Sequence, residues 1–349
     1  PKESSILADQ YVLYGMSLLL SHNIDSSLIY LRSAEKVLKN LDHNERDLSY
    51  LYSIFGNCYQ KKTIHAISLV TFQAEKKANL ETALSYYLKA LYSLREAVSK
   101  SDITLKRLKT SNFPVPNLEI MLKISQTYQL LSTVLLQGES AKRVEYLEEA
   151  LFYAGMGSDF AEYLRTTFIS ESSKIQFTEI QENIFTLGVQ VAFELYQLTG
   201  QEELAEKAFQ NMEKKKAASL FDQLSEMESR SASLIPDSLT EKETRLSTSM
   251  TYLRERLFSE MNDGEPDTAR IFEFKARIFE TEQELNKLRD YLENNFQDYF
   301  QTKYAQKPIT FDQIRRKIQP GEVVISYSMN IPDTLNEGNL YIFALSKKD

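Results

Sequence analysis

The sequence predicts a mainly α protein of paired helices that ends in two short β-strands. Most of the chain spaces its apolar residues by three and four, the period of amphipathic helices. Ten glycines and eight prolines among 349 residues leave long segments without a helix breaker. After Pro320-Gly321 the apolar spacing changes to period two, which predicts strands. With 42% hydrophobic and 26% charged residues the chain is globular, and its 40.4 kDa allows two or three structural units.

Small residues recur where paired helices would meet. Gly15 on one predicted helix is followed on the next by Ser27, Leu31 and Ala34. Small residues at these positions let two helices approach closely, with the large residue filling the space between them. The pattern resembles the tetratricopeptide repeat, so we expect a stack of helix pairs.

Three later pairs repeat the pattern less regularly. Their members are Phe55-Gly56 and Tyr59 with Ala83, Tyr87 and Ala90; Tyr128 and Leu131-Ser132 with Leu147 and Ala150-Leu151; and Leu187-Gly188 with Ala205, Ala208 and Phe209. Lys109 to Asn117, which contains Pro114 and Pro116, is the clearest break between pairs. A stack of this kind is an α-solenoid, a right-handed superhelix with a concave groove.

We expect the concave groove of the solenoid to be a binding surface for peptides. Counted from Gly56, the residues that face it are Tyr50, Ser53, Asn57 and Gln60. Asn57 occupies the position of the clamp asparagine in chaperone-binding repeats, but the lysines that would complete a carboxylate clamp are missing. We therefore expect contact with a peptide or with an internal helix.

A long antiparallel helical hairpin is predicted next. Thr240 and Glu243 have the spacing of a capping box. Leu246, Met250, Leu253, Leu257 and Met261 then step by three and four, and Ile271, Phe274, Ile278, Leu285, Leu288, Leu292 and Phe296 return after a turn at 262–266. At 1.5 Å per residue the second arm spans about 45 Å. It serves as a spacer or as a rigid arm.

Two strands end the chain. Val323, Ile325, Tyr327 and Met329 alternate with smaller or polar residues, and Leu340–Leu345 is apolar on both faces, which is typical of a strand buried from both sides. A lone two-stranded hairpin is marginal in water. We therefore expect the sheet to continue elsewhere, with Ile325 and Ile342 marking the edge that pairs with it.

The sequence of the C-terminal part of the chain resembles the start of a CHAT domain, the caspase-like cysteine-protease module that bacteria append to tetratricopeptide repeats. The resembling pieces are 212–217, 235–243, 296–300, 307–310, Ile314, Pro320-Gly321, 323–327 and 340–345. The resemblance covers 204–349 closely. It implies three units: a repeat solenoid at 1–225, a hairpin linker at 226–304, and the incomplete start of a caspase-like α/β sheet at 305–349.

The resemblance implies a regulatory role without catalysis by this chain. In that family the catalytic His and Cys lie on later strands, whereas the histidines here are His22, His43 and His65 and the only cysteine is Cys58, all in the repeats. The full-length protein would be a cysteine peptidase, with the rest of the CHAT domain as a partner from the same gene. The alternatives are a stand-alone adaptor that binds peptides or proteins through its groove, and a repeat-type sensor of a peptide or nucleotide.

No pattern indicates a metal or cofactor site. Cys58 and His65 would lie about 10.5 Å apart along a helix, too far for a dyad, and no Cys/His cluster has zinc spacing. Glycine-rich phosphate loops are absent from the sequence. Lys214-Lys215-Lys216 could bind an acidic partner, but we interpret it as a solvated helix face.

Charge and hydropathy limit the partners and the location. The net charge of −8 argues against nucleic acid, although residues 1–110 carry fifteen Lys and Arg against eleven Asp and Glu. That first third could bind an acidic segment. No apolar run reaches the ~20 residues of a membrane span. We expect a cytoplasmic protein; an export signal removed before Pro1 remains an alternative.

Overall fold

A computed structural model describes most of the chain: residues 2–41, 44–63, 71–94, 99–109, 113–136, 138–165, 171–228, 235–261, 267–296, 310–329 and 338–347. These residues are mainly helical, with a small two-stranded antiparallel sheet at the C-terminal end. The coarse prediction, helices followed by two short strands, is confirmed.

The helices and strands follow one another along the chain with short connections. They are α1 Lys2–Leu20, α2 Ile24–Leu38, α3 Glu45–Lys62, α4 Thr71–Ser93, α5 Leu105–Lys109, α6 Pro114–Thr133, α7 Ser140–Arg165, α8 Glu171–Thr199, α9 Glu202–Glu228, α10 Asp237–Met261, α11 Thr268–Asn295, α12 Phe311–Lys317, β1 Val323–Met329 and β2 Leu340–Ser346. A 3₁₀ turn, Lys100–Asp102, precedes α5. The predicted break falls between α5 and α6, where Pro114 opens the first turn of α6.

Neighbouring helices pack in pairs, and each pair packs on the next. The closest partners are α1 with α2, α3 with α4, α6 with α7, and α8 with α9. The pairs are joined where α2 meets α3, α4 meets α6, and α7 meets α8. A continuous apolar core therefore runs through these helices, from Ala8 to Ala218.

The predicted small residues Gly15 and Gly56 lie at close helix crossings. A Cβ on Gly15 would come 2.8 Å from Leu31 Cδ2, and the Ser27 hydroxyl donates to the Gly15 carbonyl at 2.6 Å. A Cβ on Gly56 would overlap the ring of Tyr87, which is fully buried. Both positions require glycine because the facing helix leaves no room for a side chain.

The helices α10 and α11 form the predicted hairpin. Leu246 near the start of α10 lies in one cluster with Leu285, Leu288 and Leu292 near the end of α11. At the other end Glu260 accepts a hydrogen bond from the backbone N–H of Asp267 at 3.2 Å. The two arms therefore run antiparallel.

One helix start differs from the prediction. Thr240 does not cap α10, because the helix already begins at Asp237, directly after Pro236. A proline is tolerated at the start of a helix, since its φ is already helical and the N–H that it lacks would have no partner there. The carbonyl of Pro236 accepts from the backbone N–H of Thr240 at 3.5 Å, so the helix starts one turn before the expected cap.

Candidate interaction surface

The C-terminal residues form a unit that rests on α8 and α9. We call α12, β1 and β2 the terminal module, residues 310–329 and 338–347. The Thr310 hydroxyl caps α12 by accepting from the backbone N–H of Gln313 at 3.2 Å, and Gln313 Oε1 accepts from the backbone N–H of Thr310 at 3.1 Å. After Gly321 turns the chain, with φ +90, β1 and β2 pair antiparallel, Tyr327 opposite Ile342.

One face of β2 packs on the helices. Tyr341, Phe343 and Leu345 are buried in a cluster that also contains Val189 and Ala192 of α8 and Ala208, Phe209 and Met212 of α9. The rings of Phe343 and Phe209 meet edge to face, with centroids 5.6 Å apart. Tyr341 meets Phe193 in the same way at 5.3 Å. Contacts of this kind add to the burial of apolar area, so this face anchors the module.

Polar contacts along α9 fix the module in place. Arg315 pairs with Glu202 at 2.8 Å, and the backbone N–H of Phe311 donates to Glu206 at 3.0 Å. Further along, the Ser326 hydroxyl donates to Glu213 at 2.8 Å and accepts from Lys216. The contact residues of α9 are Glu202, Glu206, Phe209, Glu213 and Lys216, which alternate four- and three-residue steps and so share one helix face.

The interpretation of the Lys214-Lys215-Lys216 run as a solvated face is wrong. Lys214 is 13% exposed and pairs with Asp159 and Glu162 of α7, both at 2.9 Å. Burial alone would lower the pKa of Lys214, but the two carboxylates together raise it. Lys215 donates to Thr186 at 2.9 Å, and Lys216 contacts β1. The run therefore joins α9 to α7, α8 and β1.

The opposite face of the sheet is mainly apolar and open. Its large apolar side chains are those of Val323, Ile325, Tyr327, Met329, Leu340 and Ile342, each more than half exposed. We call this set the outer face. Ile325 and Ile342, predicted at a pairing edge, both lie on it, with 64% and 58% of their surface exposed. Among the described residues, helices cover only one face of β2. The prediction that this strand is buried from both sides is therefore not met there.

The alternation in β1 predicted the strand but not the face that turns inward. An apolar face is expected to face the core, yet β1 turns Ser326 and Ser328 toward the helices. The register explains this arrangement. Ser326 lies opposite Phe343 and Ser328 opposite Tyr341, so burying the aromatic side chains of β2 carries the serines of β1 inward.

The four predicted groove residues lie on α3 but differ in exposure. Tyr50 is about half exposed, and its hydroxyl lies 3.1 Å from Met16 Sδ. The Ser53 hydroxyl donates to the backbone of its own helix. Asn57 and Gln60 both accept from the hydroxyl of Tyr87, at 2.8 and 2.9 Å. Their amide oxygens therefore position a buried tyrosine between α3 and α4.

Cys58 is an interior residue. It is fully buried, with its sulfur 3.5 Å from the Ser27 hydroxyl. Burial raises the pKa of the Cys58 thiol, and Ser27 and nearby lysines offset that rise in part. A buried thiol with a raised pKa is a poor nucleophile. His43 and His65 lie outside the described residues, and His22 sits at the turn after α1 with φ +61.

A cleft of about 560 Å³ lies between α7 and α9. Phe152, Met156 and Leu204 give it apolar walls, while Asp159 and Lys214 form an ion pair across it. The buried Ser158 donates to Asn211 at 2.9 Å, a second bond between the two helices. These contacts hold α9 on α7, and so hold the platform on which the terminal module lies.

Comparison with family models, curated proteins and solved structures gave no match. Across the described ranges, three His, Cys, Asp or Glu side chains do not come together as metal ligands. The helices of that same part of the chain all lack the length of apolar sequence needed to cross a bilayer. The main candidate surface is the outer face of the terminal sheet, because its six large apolar side chains are each more than half exposed.

Proposed function

We propose that the chain is the regulatory, protein-binding part of a caspase-like cysteine protease of the TPR–CHAT type. In this proposal the paired helices α1–α9 form a tetratricopeptide solenoid, and the terminal module is the start of the protease sheet. The supporting observation is the outer face: the sheet is anchored on helices by one face, while six large apolar side chains on its other face are open. A sheet needs a layer on each apolar face.

The partner in this proposal is the remainder of the protease domain, encoded by the same gene. Further strands would extend the edges of β1 and β2, and further helices would cover Ile325, Tyr327 and Ile342. Burial of apolar surface contributes about 25 cal/mol per Å², and six exposed apolar side chains form a large continuous patch. The catalytic Cys and His come from that remainder, which fits the burial of Cys58.

Co-expression with the segment encoded after Asp349 tests the proposal. We expect the two pieces to purify as one complex. Ile325→Asp combined with Ile342→Asp should abolish the complex, because two carboxylates would then have to be buried without partners. The matched control is Phe272→Asp, which places the same charge on a side chain of α11 that is 73% exposed.

Two results would refute the proposed function. One is a stop codon directly after Asp349, which leaves no protease segment to bind. The other is a complex that survives the double substitution at Ile325 and Ile342 as well as it survives the control, since the outer face would then take no part in it.

A further inference from the structure

The cleft between α7 and α9 has the size and the enclosure of a ligand site. Its volume of about 560 Å³ falls within the range of about 300–1,000 Å³ that is usual for pockets that bind small molecules. Both walls are helices from the middle of the described chain: side chains from 148–159 of α7 face side chains from 204–214 of α9. Leu195 and Thr199, near the end of α8, also line the cleft.

One glycine in the cleft has no packing partner. At Gly15, Gly56, Gly157 and Gly188 a Cβ would come between 2.4 and 2.8 Å from a side-chain atom of another helix. At Gly155, in the interior of α7, a Cβ would meet nothing within 4 Å. Glycine weakens a helix interior relative to alanine, and among the glycines inside the described helices this one alone lacks a close neighbour to require it. The open space at Gly155 lies in the cleft, so a group that enters the cleft can contact the backbone of α7.

Two opposite charges that line the cleft have no partners. Glu148 and Lys207 make neither an ion pair nor a side-chain hydrogen bond with the described residues. Lys214, in contrast, pairs with Asp159 and Glu162, both at 2.9 Å. A ligand that carries a single charge would be attracted by one of the two unpaired groups and repelled by the other. A ligand with one charge of each sign satisfies both.

The two unpaired charges are close enough to hold one small molecule. Ser158 contacts Asn211 and Asp159 contacts Lys214, so α7 and α9 run in the same direction with these residues level. Counting back from those contacts places Lys207 level with residues 152–154. Glu148 is four to six residues further back, which is roughly 6–9 Å along the axis at 1.5 Å per residue.

We propose that the cleft binds a free aromatic amino acid. Its α-ammonium group pairs with Glu148, its α-carboxylate pairs with Lys207, and its ring packs on the backbone at Gly155. Phe152, one turn before Gly155, and Met156 beside it favour a ring, because aromatic rings and thioether sulfur atoms both attract aromatic groups.

This site is separate from the surfaces described above. It lies on α7 and α9, the second helices of their pairs, whereas the predicted groove residues lie on α3, the first helix of its pair. The terminal module packs on another face of α9, through Phe209 and Met212, which do not line the cleft. The inference does not depend on the proposed function.

Probes that differ only in charge test the recognition of the ligand. L-phenylalanine and L-tryptophan are titrated into the full chain by calorimetry, alongside 3-phenylpropionate, which lacks the ammonium group, and 2-phenylethylamine, which lacks the carboxylate. We expect saturable binding of at least one of the two amino acids. Each of the two singly charged analogues should bind at least tenfold more weakly than L-phenylalanine, because each loses a charge-assisted hydrogen bond.

Substitutions in the cleft test its location. Gly155→Leu fills the open space without a clash, so the variant should fold and lose binding. Gly155→Ala should weaken binding while raising the urea midpoint, two effects of opposite sign from one methyl group. Glu148→Gln and Lys207→Gln should each weaken binding at least tenfold. The matched control is Glu203→Gln, an exposed position on α9 that does not line the cleft and should leave the affinity unchanged.

Three outcomes would overturn the inference. The first is that neither amino acid binds saturably to the wild-type chain. The second is that 3-phenylpropionate or 2-phenylethylamine binds as tightly as L-phenylalanine, since the two charges would then not recognise the ligand. The third is that Gly155→Leu, shown to be folded by circular dichroism, binds as the wild type does, which would place the ring outside the cleft.

Discussion

Helices α1–α9 and the terminal sheet both present apolar faces, but neighbouring elements cover them to different degrees. Within α1–α9, residues such as Ile54 and Tyr87 are enclosed by neighbouring helices. In the sheet, Phe343 is enclosed while Ile342 beside it is open. An apolar pattern therefore shows that an element has a face to bury, whereas the cover depends on which neighbour reaches it.

The sharpest test of the comparison is a pair of substitutions in β2. Phe343→Ala should destabilise the docked module by about 3–5 kcal/mol, since it removes a buried ring. Ile342→Ala, one residue away on the open face, should cost under about 1 kcal/mol. Urea unfolding and amide exchange of β1 and β2 measure both. Equal costs would mean that the outer face is also covered in solution.

Two glycines of α7 make a similar pair within the helical region. A Cβ on Gly157 would lie 2.8 Å from Ile184 Cδ1, so Gly157→Ala should cost roughly 1–3 kcal/mol through overpacking. A Cβ on Gly155 has no neighbour within 4 Å, so Gly155→Ala should instead stabilise the protein by about 0.5–1 kcal/mol. Urea midpoints that move in the same direction for both would contradict the packing of α7 on α8.

A smaller, pH-dependent effect is expected where the two regions meet. Burial raises the pKa of Glu194, and a hydrogen bond from Gln129 at 2.8 Å offsets part of the rise. Burial, with Glu194 nearby, raises the pKa of Tyr341 to about 12. Because the folded state holds the proton of Glu194 more tightly than the unfolded state, stability falls as pH rises from the ordinary glutamate pKa to the raised one.

Glu194→Gln removes that loss while keeping an oxygen for Gln129. We expect the variant to unfold at higher urea than wild type at pH 7, and the two to converge below pH 4, where Glu194 is protonated in both states. If the free energies of unfolding of the two proteins changed in parallel between pH 4 and pH 7, Glu194 would not be the cause of the pH dependence. Exposed Glu203→Gln is the control.

The smallest effect concerns Cys58 and leaves stability unchanged. A thiol reagent should label Cys58 of the native chain slowly, since the sulfur is buried and its pKa is raised. Labelling in urea should be fast. Rapid labelling of the native chain would show that the contact between α2 and α3 opens readily. The helical region would then open more easily than the contact between the terminal module and α9.

Local sequence patterns predicted the helices and strands, whereas contacts between residues distant in sequence determine which face of the terminal sheet is exposed. Glycines at 15 and 56 and the alternation from Val323 predicted helix pairs and a strand, because each signal is confined to neighbouring residues. The orientation of β1 was not predictable from β1 alone, since Phe343 and Tyr341 of the other strand set it. The spacing of Glu202, Glu206 and Glu213 on α9 was visible, but its meaning required the partner residues.

The docking of the terminal module also imposes an order on events during translation. The backbone of Phe311 is held by Glu206, 105 residues earlier in the chain. At roughly 5–20 residues per second, the ribosome needs about 5–20 s to make that interval. During this time α9 exists without the module, so Phe209 and Met212 lack the part of their cover that the module provides. The nascent chain therefore presents a temporary apolar stripe, a site where a chaperone would act before the strands emerge.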